Sequence, residues 1–165
     1  MMERKERLIK NHPEAKLERT IPGSNVGKGF KAEAIVFRKL KDLGFNVSYP
    51  LWHSPYDLIV GKLKIEVKNA GKTFKSFRNN TSYYRGHLTL NELKTADFVI
   101  VYISPTKDFY IVPTTRLKST SIYIRSTENN TNGKYQKNTN YKEYKDAWHL
   151  LKHDGHNAST LKWRF

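Results

Sequence analysis

The chain has no cysteine among its 165 residues, which excludes disulfides and cysteine-ligated zinc. It has no long apolar run either. The longest, Phe98 to Ile103, is far too short to span a bilayer. The N-terminus, Met-Met-Glu-Arg-Lys-Glu-Arg, lacks the apolar core of a signal peptide. These absences point to an intracellular, cytoplasmic protein with no membrane partner. No His-Glu-x-x-His pattern, no recognisable RNA-binding motif and no internal repeat is present. Acidic residues are scarce: 15 Asp and Glu stand against 30 Lys and Arg, a formal net charge of +15. Such an imbalance calls for an anionic partner, nucleic acid before any other. The length suits one domain with a real core.

What is present is organised around the stretch from Ser54 to Ala70. Tyr56, Leu58 and Val60 alternate with Asp57 and Ile59, which is the period of a strand. Leu63, Ile65 and Val67 alternate with Lys64, Glu66 and Lys68. Gly61-Lys62 between the two runs suits a two-residue hairpin loop with Gly where φ must be positive. That loop sets a register in which Val60 faces Leu63, Leu58 faces Ile65, Asp57 faces Glu66 and Tyr56 faces Val67. One face of the ribbon is then apolar. The other carries Asp57 beside Glu66, with Lys68 two residues along.

Opposed cross-strand residues lie roughly 5 Å apart at Cβ. Two carboxylates at that spacing repel by about 3 kcal/mol at an effective dielectric of about 20. A divalent cation between them turns repulsion into a binding site, and Mg2+ suits carboxylate oxygens while keeping several waters. A lysine at the rim can orient a water or steady negative charge. This is the layout of metal-assisted phosphodiester hydrolysis. A bland alternative stays open at this point, with Glu66 paired to Lys64 or Lys68 on a solvated sheet face. On the metal-site reading, removing either strand carboxylate leaves the metal-free fold as stable or slightly more so.

Upstream, Val26 to Leu43 reads as an amphipathic helix ended by Gly44. Phe30, Val36, Phe37, Leu40 and Leu43 share one side, and Glu33 falls within that apolar stripe. A carboxylate there is costly unless it is paired, bonds a nearby backbone group or binds a cation. Phe45 to Tyr49 reads as a strand, and the loop Pro50–Pro55, with Trp52, His53 and Ser54, stands at the mouth of the site. Gly71 to Gly86 reads as a basic, aromatic loop. With Lys28 it supplies the expected DNA contacts: Lys72, Lys75, Arg78, Tyr83, Tyr84 and Arg85. Thr89-Leu-Asn-Glu92 is a capping-box signature for a short helix through Lys94. Asp97 to Ile103, Phe109 to Val112 and Thr120 to Arg125 read as strands, and Glu128 to Asn140 as a polar loop. Tyr141 to Lys152 reads as a terminal helix with Tyr144, Ala147, Trp148 and Leu151 on one face. His149 and His153 lie at i, i+4 on it, but a solvated or nucleic-acid-facing helix is preferred to a metal site. Trp163-Arg164-Phe165 is free to pack on the core or on a second subunit.

With Glu33, Asp57, Glu66 and Lys68 named, the chain resembles the PD-(D/E)xK nuclease superfamily. The matching pieces are Gly29-Phe-Lys-Ala-Glu33, Tyr56-Asp57 and Ile65-Glu66-Val67-Lys68. The stretches Thr-Ala-Asp-Phe-Val-Ile-Val-Tyr and Phe-Tyr-Ile-Val-Pro are similar to the following core strands. The likeness covers residues 26–113. It is closest to archaeal-type Holliday junction resolvases and extends to the group I intron homing endonuclease of the same superfamily. Tyr56 stands where a proline usually precedes the aspartate. The resemblance implies an α/β, restriction-endonuclease-like αβββαβ core, with a central mixed sheet flanked by helices. It divides the chain into a basic arm (1–25), the nuclease core (26–125), and a polar loop with a C-terminal helix packed on the same domain (126–165). It implies Asp57, Glu66 and the Val67 carbonyl as Mg2+ ligands, with Mn2+ able to substitute. It gives Lys68 the attacking water, and Glu33 a second metal or a metal-bound water. It also implies a homodimer acting on DNA. Junction resolution stands first among the expected activities, ahead of homing or restriction-type cutting and of binding without catalysis.

Overall fold

The computed structural model describes residues 25–51, 54–77, 81–126 and 141–152. The expected basic arm, Trp52, His53, Arg78, the polar loop around Gly133, His153, His156 and the C-terminal Trp163-Arg164-Phe165 lie outside the described residues.

Helix α1 spans Asn25–Asp42. It stops at Gly44, whose φ of +83° suits a residue without Cβ. Lys39 and Lys41 in its last turn face the negative end of the helix dipole. Two short strands follow, β1 (Val47–Ser48) and β2 (Leu58–Val60), then the long strand β3 (Leu63–Ala70). β1 is only the centre of the strand expected at Phe45–Tyr49.

β2 and β3 pair antiparallel, with Leu58 opposite Ile65, Ile59 opposite Lys64 and Val60 opposite Leu63. That is the expected register. Gly61 has a φ of +59°, whereas Lys62 is not among the residues of positive φ. Positive φ at the first loop position alone is the type II′ pattern, and its twist matches that of the flanking strands.

The main sheet is completed by β6 (Phe98–Ile103) and β7 (Asp108–Pro113), in the order β1-β2-β3-β6-β7. Only the β3–β6 pair is parallel, which makes the sheet mixed. All six residues of β6 are buried, as befits a strand covered on both faces. On one face Ala32, Val36 and Leu40 of α1 pack against Leu58, Ile65, Val67 and Ile100. Phe37 stacks on Tyr49 there, with ring centroids 4.4 Å apart.

The other face differs from expectation. Helices were expected on both sides of the sheet. Instead a second, three-stranded sheet covers Ala70, Val99, Val101 and Ile103 with Tyr84, Leu88, Ile122 and Ile124. Its order is β4-β5-β8, where β4 is Thr73–Lys75, β5 is Ser82–His87 and β8 is Ser121–Arg125. The segment read as a basic loop is therefore two paired strands. Helix α2 (Leu90–Thr95) links the two sheets.

The C-terminal helix is also absent in the expected form. Tyr141–Tyr144 and Trp148–Leu151 are two short 3₁₀ turns, and Asp146 breaks between them at a φ of +50°. The segment instead docks on the exposed edge of β7. The Asp146 N–H donates to the Phe109 carbonyl at 2.8 Å, and Lys145 pairs with Asp108 at 2.9 Å. Covering a sheet edge removes unpaired backbone groups, and Ala147, Trp148 and Leu151 still reach the core. Among the described residues, no helix is long and apolar enough to cross a membrane.

The Gly61 turn sets the register of β2 on β3 and so where Asp57 enters the hairpin. A Cβ at Gly61 would meet nothing within 4 Å, so a substitution there is penalised through backbone conformation alone. Gly61→Val is expected to lower the unfolding free energy by about 1–2 kcal/mol in urea melts, the cost of placing an L-residue in the left-handed region. An unchanged midpoint would show that the turn tolerates a different conformation.

Candidate active site

Asp57 stands one residue before β2. The hairpin still holds it: its N–H donates to the Ile65 carbonyl at 2.9 Å. Its side chain turns back onto β3, where Oδ2 accepts the Val67 N–H at 2.9 Å. Glu66 is buried on β3, close enough to Asp57 for each carboxyl to feel the other. The two acids are therefore neighbours, although the β2–β3 ladder itself ends at Leu58 opposite Ile65. Lys68 lies two residues along, and its Nζ is 2.7 Å from Glu66 Oε1.

The electrostatics follow from burial. Loss of hydration pushes the Glu66 carboxyl up to about 9, and the neighbouring Asp57 charge adds to the effect against the pull of Lys68. Burial raises Asp57 too, opposed by the Val67 N–H. Both carboxyls are thus held above their ordinary range, and the pair retains a proton more readily than two separate acids. Burial alone would lower Lys68, but Glu66 and Glu92 outweigh it and the ammonium form is strengthened.

Glu92 is the residue that sequence reasoning missed. It was read as the third position of a capping box, and that box is present. The Glu92 N–H donates to Thr89 Oγ1 at 3.2 Å, and the Thr89 N–H donates to Glu92 Oε2 at 2.7 Å. The same Oε2 lies 3.1 Å from Lys68 Nζ. Burial acts to raise the Glu92 carboxyl, but the Thr89 N–H and Lys68 outweigh it and bring it below its ordinary value. The capping motif was the only signal in the sequence. Nothing local showed that α2 turns this acid toward β3.

Glu33 is buried on α1. That helix packs against the face of β3 that carries Ile65 and Val67, opposite the face shared by Glu66 and Ala70. Among the described residues, no three Asp, Glu or His side chains form a group able to hold one ion. Glu33 is thus not grouped with Asp57 and Glu66, and His149 is exposed on a 3₁₀ turn. Ser54 at the expected mouth of the site donates to the Leu51 carbonyl at 2.7 Å and serves its own turn.

A divalent cation fits the Asp57–Glu66 pair. Two neighbouring carboxyl groups that retain a proton suit a hard, oxygen-seeking ion, which takes the place of that proton. Asp57 offers the oxygen not engaged by Val67, and the coordination left over falls to backbone carbonyl, water and substrate.

Of the expected DNA contacts, Lys28, Lys72, Lys75 and Arg85 are exposed and Tyr83 is half-buried. Tyr84 is different. It is 4% exposed and sits in the core between the sheets, because alternation along β5 sends Tyr83 and Arg85 outward and Tyr84 inward.

The family profile of the PD-(D/E)XK endonucleases matches residues 25–151. The solved structure of a bacterial homing endonuclease, I-Ssp6803I, is similar at 24% identity. The match covers 78% of this chain and 91% of that one, with a TM-score of 0.56. None of the curated proteins matches the chain.

The raised Glu66 carboxyl makes metal-free stability depend on pH. The unfolded chain gives up this proton near 4.5, and the folded chain keeps it to about 9. Stability is therefore full below about 4.5 and falls as pH rises toward 9. Glu66→Gln imitates the protonated form. It is expected to flatten that fall and to gain about 1–3 kcal/mol at pH 8 in EDTA. Urea melts from pH 5 to 9 check this, and a flat wild-type profile would contradict it. Asp57→Ala behaves otherwise, because it leaves the Val67 N–H without its acceptor. A loss of about 1–3 kcal/mol is set against the relief of repulsion, so lower stability is expected in place of equal or slightly higher stability, while Asp57→Asn keeps the acceptor and the stability.

Proposed function

The chain belongs to the PD-(D/E)XK endonuclease family, and from that premise we propose that it cuts duplex DNA at a defined site, as a homing-type endonuclease dependent on a divalent cation. One observation carries this reading: half-buried Asp57 stands beside buried Glu66, with the Lys68 ammonium 2.7 Å from Glu66. Asp57, Glu66 and the Val67 carbonyl would hold Mg2+ or Mn2+, whose part is to offset negative charge building on the phosphate. Lys68 donates hydrogen bonds to the attacking water or a phosphate oxygen, orienting the one and stabilising the other. Hydrolysis adds that water across one P–O bond and leaves a phosphate end and a hydroxyl end. Glu33 has no assigned step in this scheme.

Duplex cutting is preferred to the junction cutting expected from sequence for two reasons. The fold is similar to that of a homing endonuclease, and the second sheet offers a broad cationic face. The chain has no acidic residue from Asn69 to Asn91 or from Phe109 to Thr127, and these segments hold all three strands of that sheet. On its outer side Arg85 pairs with Tyr123 and Tyr83 with Arg125. The Arg85 guanidinium lies 6.0 Å from the Tyr123 ring. Arginines braced on aromatics suit phosphate contact and base-edge reading. Lys72 and Lys75 extend the face along the backbone, and Lys28 adds a charge from α1. A homodimer would bring a second site to the second strand.

Labelled four-way junctions and long linear duplexes, each with Mg2+ and with EDTA, test the reading. One or a few defined double-strand breaks in the duplex, abolished by EDTA and by Glu66→Gln, are expected. Paired symmetric nicks confined to junctions would restore the resolvase reading. Cutting indifferent to EDTA, or no cutting of any substrate, would leave only a cationic binding protein. Binding in EDTA tests the second sheet separately. Arg85→Ala with Arg125→Ala should weaken duplex binding and reduce the slope of log affinity against log salt by about 2, roughly 0.9 per lost phosphate contact. An unchanged slope would move the DNA to another face.

A further inference from the structure

We infer that Glu92 is a positioning residue for Lys68, its carboxylate anchored by the backbone N–H of Thr89. The inference rests on the reading of Lys68 as the group that addresses water or phosphate. A lysine is a poor instrument for that task unless restrained, because its four-carbon stem is flexible and its ammonium is a point charge with three rotatable donors. Here two acceptors fix it, Glu66 Oε1 at 2.7 Å and Glu92 Oε2 at 3.1 Å. The two anchors are not equivalent. Glu66 is also the proposed cation ligand, so its oxygens are shared with the ion when one binds. Glu92 is tied to the Thr89 N–H instead, and its hold on Lys68 does not depend on the ion.

Glu92 is itself restrained. Its Oε2 accepts the Thr89 N–H at 2.7 Å, and its own N–H is held by Thr89 Oγ1 at 3.2 Å. The next residues tie the same helix to the strand that bears Asp57. Thr95 Oγ1 lies 3.4 Å from the Pro55 carbonyl, two residues before Asp57. A capping box that serves only its helix has no need of a partner on β3. This one places a carboxylate between a backbone donor and the site lysine, with its side chain 21% exposed. Two of the three Lys68 donors are then engaged, which leaves the third for water or phosphate.

The capping and positioning roles separate cleanly by substitution. Glu92→Gln can still close a capping box, since glutamine serves at that position, but it offers Lys68 no charge. Thr89→Ala breaks the cap yet leaves the Glu92 carboxylate beside Lys68. Single-turnover cutting at saturating duplex should fall at least tenfold in Glu92→Gln, with the half-saturating DNA concentration within twofold of wild type and the urea midpoint nearly unchanged. Thr89→Ala should do the reverse, with a lower urea midpoint and a cutting rate near wild type.

Trace acetylation read by peptide mass spectrometry follows Lys68 without requiring turnover. Lys68 labelling relative to Lys64 should rise several-fold in Glu92→Gln and stay unchanged in Thr89→Ala. Equal cutting and equal labelling in Glu92→Gln and wild type would overturn the inference. So would activity losses that merely track stability in both variants. A wild-type protein that cuts nothing, while labelling still rises in Glu92→Gln, would sustain the positioning contact and refute the nuclease reading alone.

Discussion

Two carboxylates that repel each other are held side by side by a two-residue turn, and the rest of the structure depends on that enforced contact. The ladder of β2 on β3 ends at Leu58 opposite Ile65, and Asp57 and Glu66 are the next residues beyond it. Burial then removes the water that would screen the pair, and Glu66 keeps its proton to about 9. Left alone, this arrangement costs stability. It persists because the surrounding structure over-determines it: the Ile65 carbonyl and Val67 N–H bind Asp57 from β3, and the sheets pack above and below. Strain of this kind is a common property of catalytic sites.

The two-layer arrangement explains why the site lies where it does. Odd-numbered residues of β3, Leu63, Ile65 and Val67, pack toward α1. Even-numbered ones, Glu66, Lys68 and Ala70, share the face that the second sheet covers further along. Glu66 and Lys68 fall where that cover ends and α2 begins. Glu92 closes this margin from the side.

Much of the site was legible in the sequence because its geometry is local. Strict alternation from Leu58 to Lys68 interrupted by Gly61 leaves one sensible register, which the ladder follows from Leu63 back to Leu58. The capping box was equally legible, being a four-residue motif. What failed was non-local. β5 pairs with β8, with Arg85 opposite Tyr123, and no local pattern announces a partner so far along the chain. β4 is exposed at every residue and has no apolar alternation. Tyr83 and Tyr84 are both aromatic, so the inward one could not be told from the outward one until the sheet was known. At the C-terminus, Ala147, Trp148 and Leu151 have helical spacing, yet two 3₁₀ turns bury the same side chains while the intervening backbone bonds to β7. Glu33 showed the limit of a stripe argument: periodicity put it on the buried side of α1 but could not say which face of the sheet that side would meet.

The central claim is that the Asp57–Glu66 pair exchanges its proton for a divalent cation. Titration calorimetry of the protein with Mn2+ near pH 7.5, repeated in buffers of different ionisation enthalpy, measures both the ion and the proton. The account predicts one principal site that releases about one proton per ion and is lost in Glu66→Gln. Binding with no proton release, or binding that survives Glu66→Gln, would contradict it.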